Sequence, residues 1–170
     1  IKIGVSIPGI VDQNAGIVTY VPFFHWKDWQ IKKQIENELG LPVVIDNDAN
    51  ALALAELWFS KSEMNRTKNF ISLLVAEGIG TGIIFDGQIY RGQNGTAGEF
   101  GHMIVGSDSL VECSCGSHNC WEAFASNKAI IGKYMELTDE KSIEIEEFFS
   151  NFQSGDEISR QIVQNFIGYL

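Results

Sequence analysis

The chain contains no stretch of eighteen consecutive apolar residues and no charged segment leading into an apolar core, so nothing in it reads as a membrane span or a signal sequence. Basic residues are scarce: 12 Lys and Arg stand against 22 Asp and Glu, for a formal charge of −10. They are scattered without a run, which argues against a surface built to grip a phosphate backbone. Internal repeats and low-complexity segments are absent. Cysteine is rarer still, three in 170 residues. The count is odd and one pair is spaced Cys-x-Cys, a poor spacing for an internal disulfide, so a reducing, cytoplasmic setting is expected. What remains, 45% hydrophobic and 20% charged, is the composition of a folded globular protein. The length suits one ordinary domain or pieces of two lobes.

The three cysteines are not scattered. Cys113, Cys115 and Cys120 lie within eight residues, and His102 precedes them. Three thiolates and an imidazole on one short loop can close a tetrahedral cage, the arrangement zinc takes in structural sites. His118 lies in the same loop, but its neighbours place it toward solvent. Gly98-Glu99-Phe100-Gly101-His102 stands immediately before the loop and Glu122 immediately after it. A metal-fixed loop beside Glu99, His102 and Glu122 suggests a pocket that grips a polyhydroxylated ligand, because each group accepts or donates directionally.

Upstream, the periodicity predicts alternating strands and helices. Residues 1–7 read as a strand ended by Pro8-Gly9, and 17–21 as a second. Asp28 is expected to cap a helix striped by Ile31, Ile35 and Leu39, with Gly40 and Pro42 ending it. The apolar run 41–45 reads as a central strand of a mostly parallel sheet. Asn47 or Asp48 then caps an Ala/Leu-rich helix reaching about Phe59, and a polar connection covers 61–69. Short strands are expected at 70–76, 81–85 and 88–91, joined in the last pair by Asp86-Gly87. Helices follow around 121–136, 142–150 and 157–170. The result is an α/β protein. Core packing is expected to account for at least three of Trp26, Trp29, Trp58 and Trp121.

Two further constellations carry chemistry. Asp46-Asn47-Asp48-Ala49-Asn50 sits where a buried strand meets a helix start, the place where open α/β sheets bind ligands. An Asp there could take the proton of a hydroxyl attacking a phosphoryl group; a plain N-cap is the alternative. Gly78, Gly80 and Gly82 form a glycine-rich turn that could admit phosphates, or could be a hairpin needing positive φ. It has no Walker Lys and does not open a helix, and Glu77 beside it repels phosphate.

These residues, in this order, resemble the ROK family of repressors, open reading frames and kinases. The resemblance rests on Val5-Ser6-Ile7-Pro8-Gly9-Ile10-Val11-Asp12, Asn47-Asp48-Ala49-Asn50, Gly78-Ile79-Gly80-Thr81-Gly82, Gly98-Glu99-Phe100-Gly101-His102 and the loop from Cys113 to Glu122, and it covers about residues 1–135. It implies the two-lobed actin-like/sugar-kinase (ribonuclease H-like) fold, with a zinc on His102, Cys113, Cys115 and Cys120. It also implies sugar contacts from Asn47, Asp48, Glu99, His102 and Glu122, with a backbone approach at Gly9. In the family's kinases the residue matching Asp48 is the general base and ATP–Mg is the co-substrate. In its repressors an N-terminal helix-turn-helix reads DNA and the same cleft senses a sugar, and a homodimer is expected.

The departures point within the family. Ala76-Glu77 replaces the Gly-Thr of the kinases and resembles the xylose-repressor branch. Pro22-Phe23-Phe24 replaces a Pro-Asn-Leu segment, and Asn119 stands where the cysteine loop has Gly, a position whose left-handed conformation Asn tolerates. The first phosphate loop would lie ahead of Ile1. Residues 1–7 already read as a strand, and the stripe Ile158, Ile162, Phe166, Leu170 runs to the last residue. The expectation is therefore a fragment: 1–47 as a remnant of the N-terminal lobe, and 48–170 as C-terminal lobe with meander, cysteine loop and helices. Its expected role is the sugar-sensing effector part of a repressor, with a sugar kinase as the alternative.

Overall fold

In the computed structural model, residues 1–21, 24–60 and 67–170 are described. Pro22 and Phe23 lie outside that set, as does most of the polar connection expected over 61–69. The described residues form two compact units, Ile1–Leu74 with Gly80–Glu99, and Val75–Ile79 with Phe100–Leu170.

In the first unit, β1 (Ile3–Ile7) pairs in parallel with β5 (Val43–Asn47), Ile7 opposite Asn47. Both strands therefore end at one level, and the turn after β1 and the helix start after β5 share that level. Val43 and Ile45 are buried, whereas Val44 between them is 46% exposed. The strand is thus half-buried, not central: among the described residues its one strand neighbour is β1. The apolar run misled because nothing described covers the Val44 face.

An antiparallel sheet of β2 (Ile10–Asp12), β3 (Ile17–Val21) and β4 (Trp26–Trp29) completes this core. Ile7, Val11, Val18, Val21, Ile31, Val43 and Ile45 are buried together, with Trp26 and Trp29 packed against them. Trp58, by contrast, is 65% exposed and lies outside this core.

Helix α1 (Ile31–Leu39) follows Gln30, which makes no side-chain cap. Asp28 is not that cap. It lies inside β4 at φ 49°, two residues too early, because the Trp26 to Trp29 strand pairs with β3 first. Gly40 ends the helix as expected, at φ 65° with its N–H on the Glu36 carbonyl. Helix α2 (Asp48–Phe59) is capped by Asn47, whose side-chain oxygen accepts the Asn50 N–H at 3.0 Å.

Strands β6 (Phe70–Val75), β7 (Ile79–Phe85) and β8 (Gln88–Ile89) form a sheet in that order. Asp86 and Gly87 both have positive φ, 49° and 73°, as the two-residue turn between β7 and β8 requires.

The second unit holds four helices, α3 (Trp121–Phe124), α4 (Asn127–Thr138), α5 (Ile145–Ser154) and α6 (Glu157–Tyr169). The single helix expected over 121–136 is two, because Ser126 turns out of helix to cap α4, accepting the Ala129 N–H at 3.1 Å. Phe148 lies fully buried at the centre, with Ile130, Tyr134, Ile143 and Ile162 around it. Asp156 caps α6, accepting the Ser159 N–H and hydroxyl at 2.7 Å each. Those bonds hold its half-buried carboxyl below the ordinary value. Among the described residues, no helix is long and apolar enough to cross a membrane.

Candidate metal and sugar site

The loop between the 3-10 turn Phe100–His102 and α3 folds as a narrowing ladder. Trp121 N–H donates to the Met103 carbonyl at 2.7 Å, Val105 to Asn119 at 3.1 Å, and Ser109 to His118 at 3.1 Å. At the tip Cys113 N–H reaches the Ser117 carbonyl at 2.8 Å, and Gly116 N–H closes a turn on the Cys113 carbonyl at 2.9 Å. Gly116 has φ 86°, so this turn needs a residue without a Cβ. The ladder brings residues eleven to eighteen apart in sequence to one point.

At that point His102 Nδ1 lies 3.2 Å from Cys113 Sγ, and Cys115 Sγ lies 3.5 Å from Cys120 Sγ. The four donor atoms all fall within 4.8 Å of one another. A tetrahedron with metal–sulfur bonds of about 2.3 Å has edges of about 3.8 Å, so the donors span the right size of cage. Cys113 and Cys120 are buried and Cys115 is exposed. The set fits a metal ion by donor chemistry and by spacing. His118 stays outside it: its Nδ1 lies 2.8 Å from the Ser109 carbonyl oxygen. Asn119 does not use a left-handed conformation; its side chain accepts the Asp108 N–H at 3.1 Å instead.

Thiol acidity is split across the cluster. Burial pushes the Cys113 thiol well up, and the Glu122 charge beside it adds to the effect. Burial opposes ionisation of Cys115 as well, but the Ser117 N–H and the Cys120 and Cys113 thiols outweigh it and hold Cys115 below its ordinary value. A divalent cation on the four donors offsets these penalties, since it binds the thiolate forms and releases their protons.

Both oxygens of Glu122 already hold partners. Oε2 accepts the Ile79 N–H at 3.1 Å. Oε1 accepts the Ser114 N–H at 3.2 Å, the Ser114 hydroxyl at 3.0 Å and the Cys113 thiol at 3.4 Å. It ties the cysteine loop to the start of β7. Gly78 is part of the same fit, because a Cβ there would collide with Glu122 Oε2.

The other two glycines of that turn have equally local reasons. A Cβ on Gly80 would meet Ala49 Cβ at 2.9 Å, and one on Gly82 would lie 2.5 Å from the Ala49 carbonyl and from Ala53 Cβ. None of the three has a positive φ. Gly80 and Gly82 let β7 lie directly on α2, a role that operates whether or not a nucleotide binds.

In the first unit, Asn47 and Asp48 sit at the β5–α2 junction. Asn47 Nδ2 donates to the Gly9 carbonyl at 3.0 Å, so Gly9 and Asn47 are brought together. A Cβ at Gly9, φ 127°, would collide with the Tyr20 carbonyl. Asp48 accepts the Ala49 N–H at 2.9 Å. Burial raises its carboxyl above the ordinary value, against the Ala49 and Asp48 backbone N–H groups. Glu99 is exposed and follows Gly98 at φ 92°. One partnership had no sequence signal: Arg91 forms an ion pair with Asp46, the residue ahead of Asn47. Their separation of 45 residues hides it from any pattern.

A family model for the ROK family matches residues 1–170. The chain is 36% identical over 157 residues to the xylose repressor of Caldicellulosiruptor bescii, covering 92% of this chain and 38% of that one. It is similar in structure, with a TM-score of 0.87 and 29% identity, to a ROK family glucokinase from Streptomyces griseus in complex with glucose and AMPPNP, over 98% of this chain and 57% of that one. It is similar too, with a TM-score of 0.80 and 30% identity, to a ROK family transcriptional regulator that is a homologue of the E. coli MLC protein, over 99% of this chain and 44% of that one. The chain thus spans less than half the length of the curated xylose repressor it matches. The chain belongs to the ROK family and has the α/β actin-like/sugar-kinase fold.

Proposed function

We propose that this chain is part of the sugar-sensing effector region of a ROK-family transcriptional repressor of the xylose-repressor type, with 1–47 from the N-terminal lobe and 48–170 from the C-terminal lobe. A structural zinc sits on His102, Cys113, Cys115 and Cys120. When bound, it acts as a closed four-coordinate cross-link with no position for chemistry. Gly9, Asn47, Asp48 and Glu99 contact sugar hydroxyls, and His102 and Glu122 carry the same assignment. Sugar occupancy shifts a two-state equilibrium of the repressor, and DNA is contacted by a helix-turn-helix outside this chain in a cytoplasmic homodimer.

The observation that carries the repressor reading is Glu77, exposed at the glycine turn where a nucleotide's phosphates would have to approach. A carboxylate there disfavours ATP by like-charge repulsion. The similarity to a xylose repressor supports the same choice.

A second reading, an ATP-dependent sugar kinase, has its own observation. Asp48 carries a carboxyl raised by burial, which strengthens it as a general base, and the chain resembles a glucokinase bound to glucose and AMPPNP. In that reading Gly78, Gly80 and Gly82 face ATP–Mg. Isothermal titration of the full-length protein with ATP–Mg and with D-xylose separates the two. The sensor binds the sugar and not the nucleotide; ATP–Mg binding with sugar turnover that Asp48→Ala abolishes would establish the kinase.

A further inference from the structure

Asp46 of the first unit holds three partners. Its Oδ2 carries the Arg91 guanidinium and accepts Gln13 Nε2 at 3.2 Å, and its Oδ1 accepts the Asn47 N–H at 2.9 Å. Both side chains of the ion pair are largely shielded, at 25% exposure for Arg91 and 13% for Asp46. Screening by solvent is weaker there than for a surface pair.

Arg91 also opens a tightly held loop. Its carbonyl accepts the Ala97 N–H at 3.0 Å, closing residues 91–97 on themselves. Gly95, φ 73°, lies so close to β2 that a Cβ would sit 2.9 Å from the Val11 carbonyl. At the far end the Thr81 hydroxyl donates to the Gly98 carbonyl, and a Cβ at Gly98 would collide with the Thr81 carbonyl. The loop therefore has two anchors, Thr81 of β7 at its end and Asp46 of β5 at its start. Glu99 directly follows Gly98, the residue that Thr81 holds, and Asn47 and Asp48 directly follow Asp46.

We propose that Arg91 is a positioning residue for the sugar site: its pair with Asp46 ties the loop leading into Glu99 to the strand end that presents Asn47 and Asp48. This rests on the sugar-binding reading above. The pair sets the relative placement of two segments that both carry sugar contacts. A loss of that placement weakens binding without removing a contact, because hydroxyl recognition tolerates little displacement. Only one guanidinium nitrogen meets the carboxylate, and Arg91 Nε has no hydrogen-bond partner among the described residues. A lysine can therefore supply the same charge at the same carboxylate, leaving no unsatisfied Nε.

The test is titration of the full-length protein with D-xylose and with D-glucose, alongside thermal melting. Arg91→Met is expected to weaken binding of the sugar that the wild type binds by about tenfold or more. Arg91→Lys restores it to within about threefold. Val18→Ala, a cavity in the same core away from the pair, lowers the melting temperature and leaves affinity unchanged. Asp46→Asn keeps the oxygen that accepts the Asn47 N–H but replaces the charged oxygen shared by Arg91 and Gln13 with an amide, and reproduces the Arg91→Met loss. Unchanged affinity in Arg91→Met, or loss of folding in both Arg91→Met and Asp46→Asn, overturns the inference alone. A wild type that binds neither sugar overturns the sugar-site reading and the inference with it.

Discussion

Glu122, two residues past the last cysteine, accepts the Ile79 backbone N–H at 3.1 Å across 43 positions of sequence. The same carboxylate receives Ser114 and Cys113 on its other oxygen. The cysteine loop and the start of β7 are thus one hydrogen-bonded body, and the glycine at 78 exists to admit that carboxylate.

Glu122→Ala leaves the Ile79 and Ser114 N–H groups without acceptors. A loss of about 1–3 kcal/mol is expected in denaturant unfolding, together with faster loss of metal to a chelator. An Ala variant with wild-type stability and wild-type metal retention would show that the brace is idle.

Gly82→Ala tests the close approach of β7 to α2. Its Cβ would meet the Ala49 carbonyl and Ala53 at 2.5 Å, and a backbone atom cannot step aside as a flexible side chain can. Destabilisation of about 1–3 kcal/mol is expected. Gly4→Ala, where a Cβ meets nothing within 4 Å, is the control and stays within about 0.5 kcal/mol of wild type. Equal effects at the two positions would remove the packing explanation.

The legible parts of the molecule were those whose causes are local. The Asn47 cap, the Gly40 terminator and the Asp86-Gly87 turn each depend on residues a few positions apart, and the four metal donors lie within nineteen residues; each lies where the sequence puts it. The parts that depend on distant partners were not legible. Asp28 reads as a cap until β3 claims it for a strand, and the apolar run 41–45 reads as a central strand until the face of Val44 is found exposed. The glycines at 80 and 82 looked like turn residues because nothing in a single sequence reveals that Ala49 and Ala53 press against them. Arg91 gave no signal at all.

Asp48 supplies a pH test. Burial raises its folded carboxyl above the ordinary value of 3.8, so ionisation costs stability. That cost is absent below 3.8, grows as pH rises toward the folded value, and is fully present above it. Asp48→Asn is therefore expected to melt higher than wild type at neutral pH, with the advantage shrinking as pH falls, while losing sugar affinity. A variant that melts lower at neutral pH would mean that ionised Asp48 supports the start of α2 more than its burial costs.

The zinc content of freshly purified, reduced protein tests the central claim most directly. Elemental analysis is expected to give about one zinc per chain, falling toward none in Cys115→Ser, because three thiolates and one imidazole form a complete structural set. Clearly substoichiometric zinc in the reduced wild type would contradict the account.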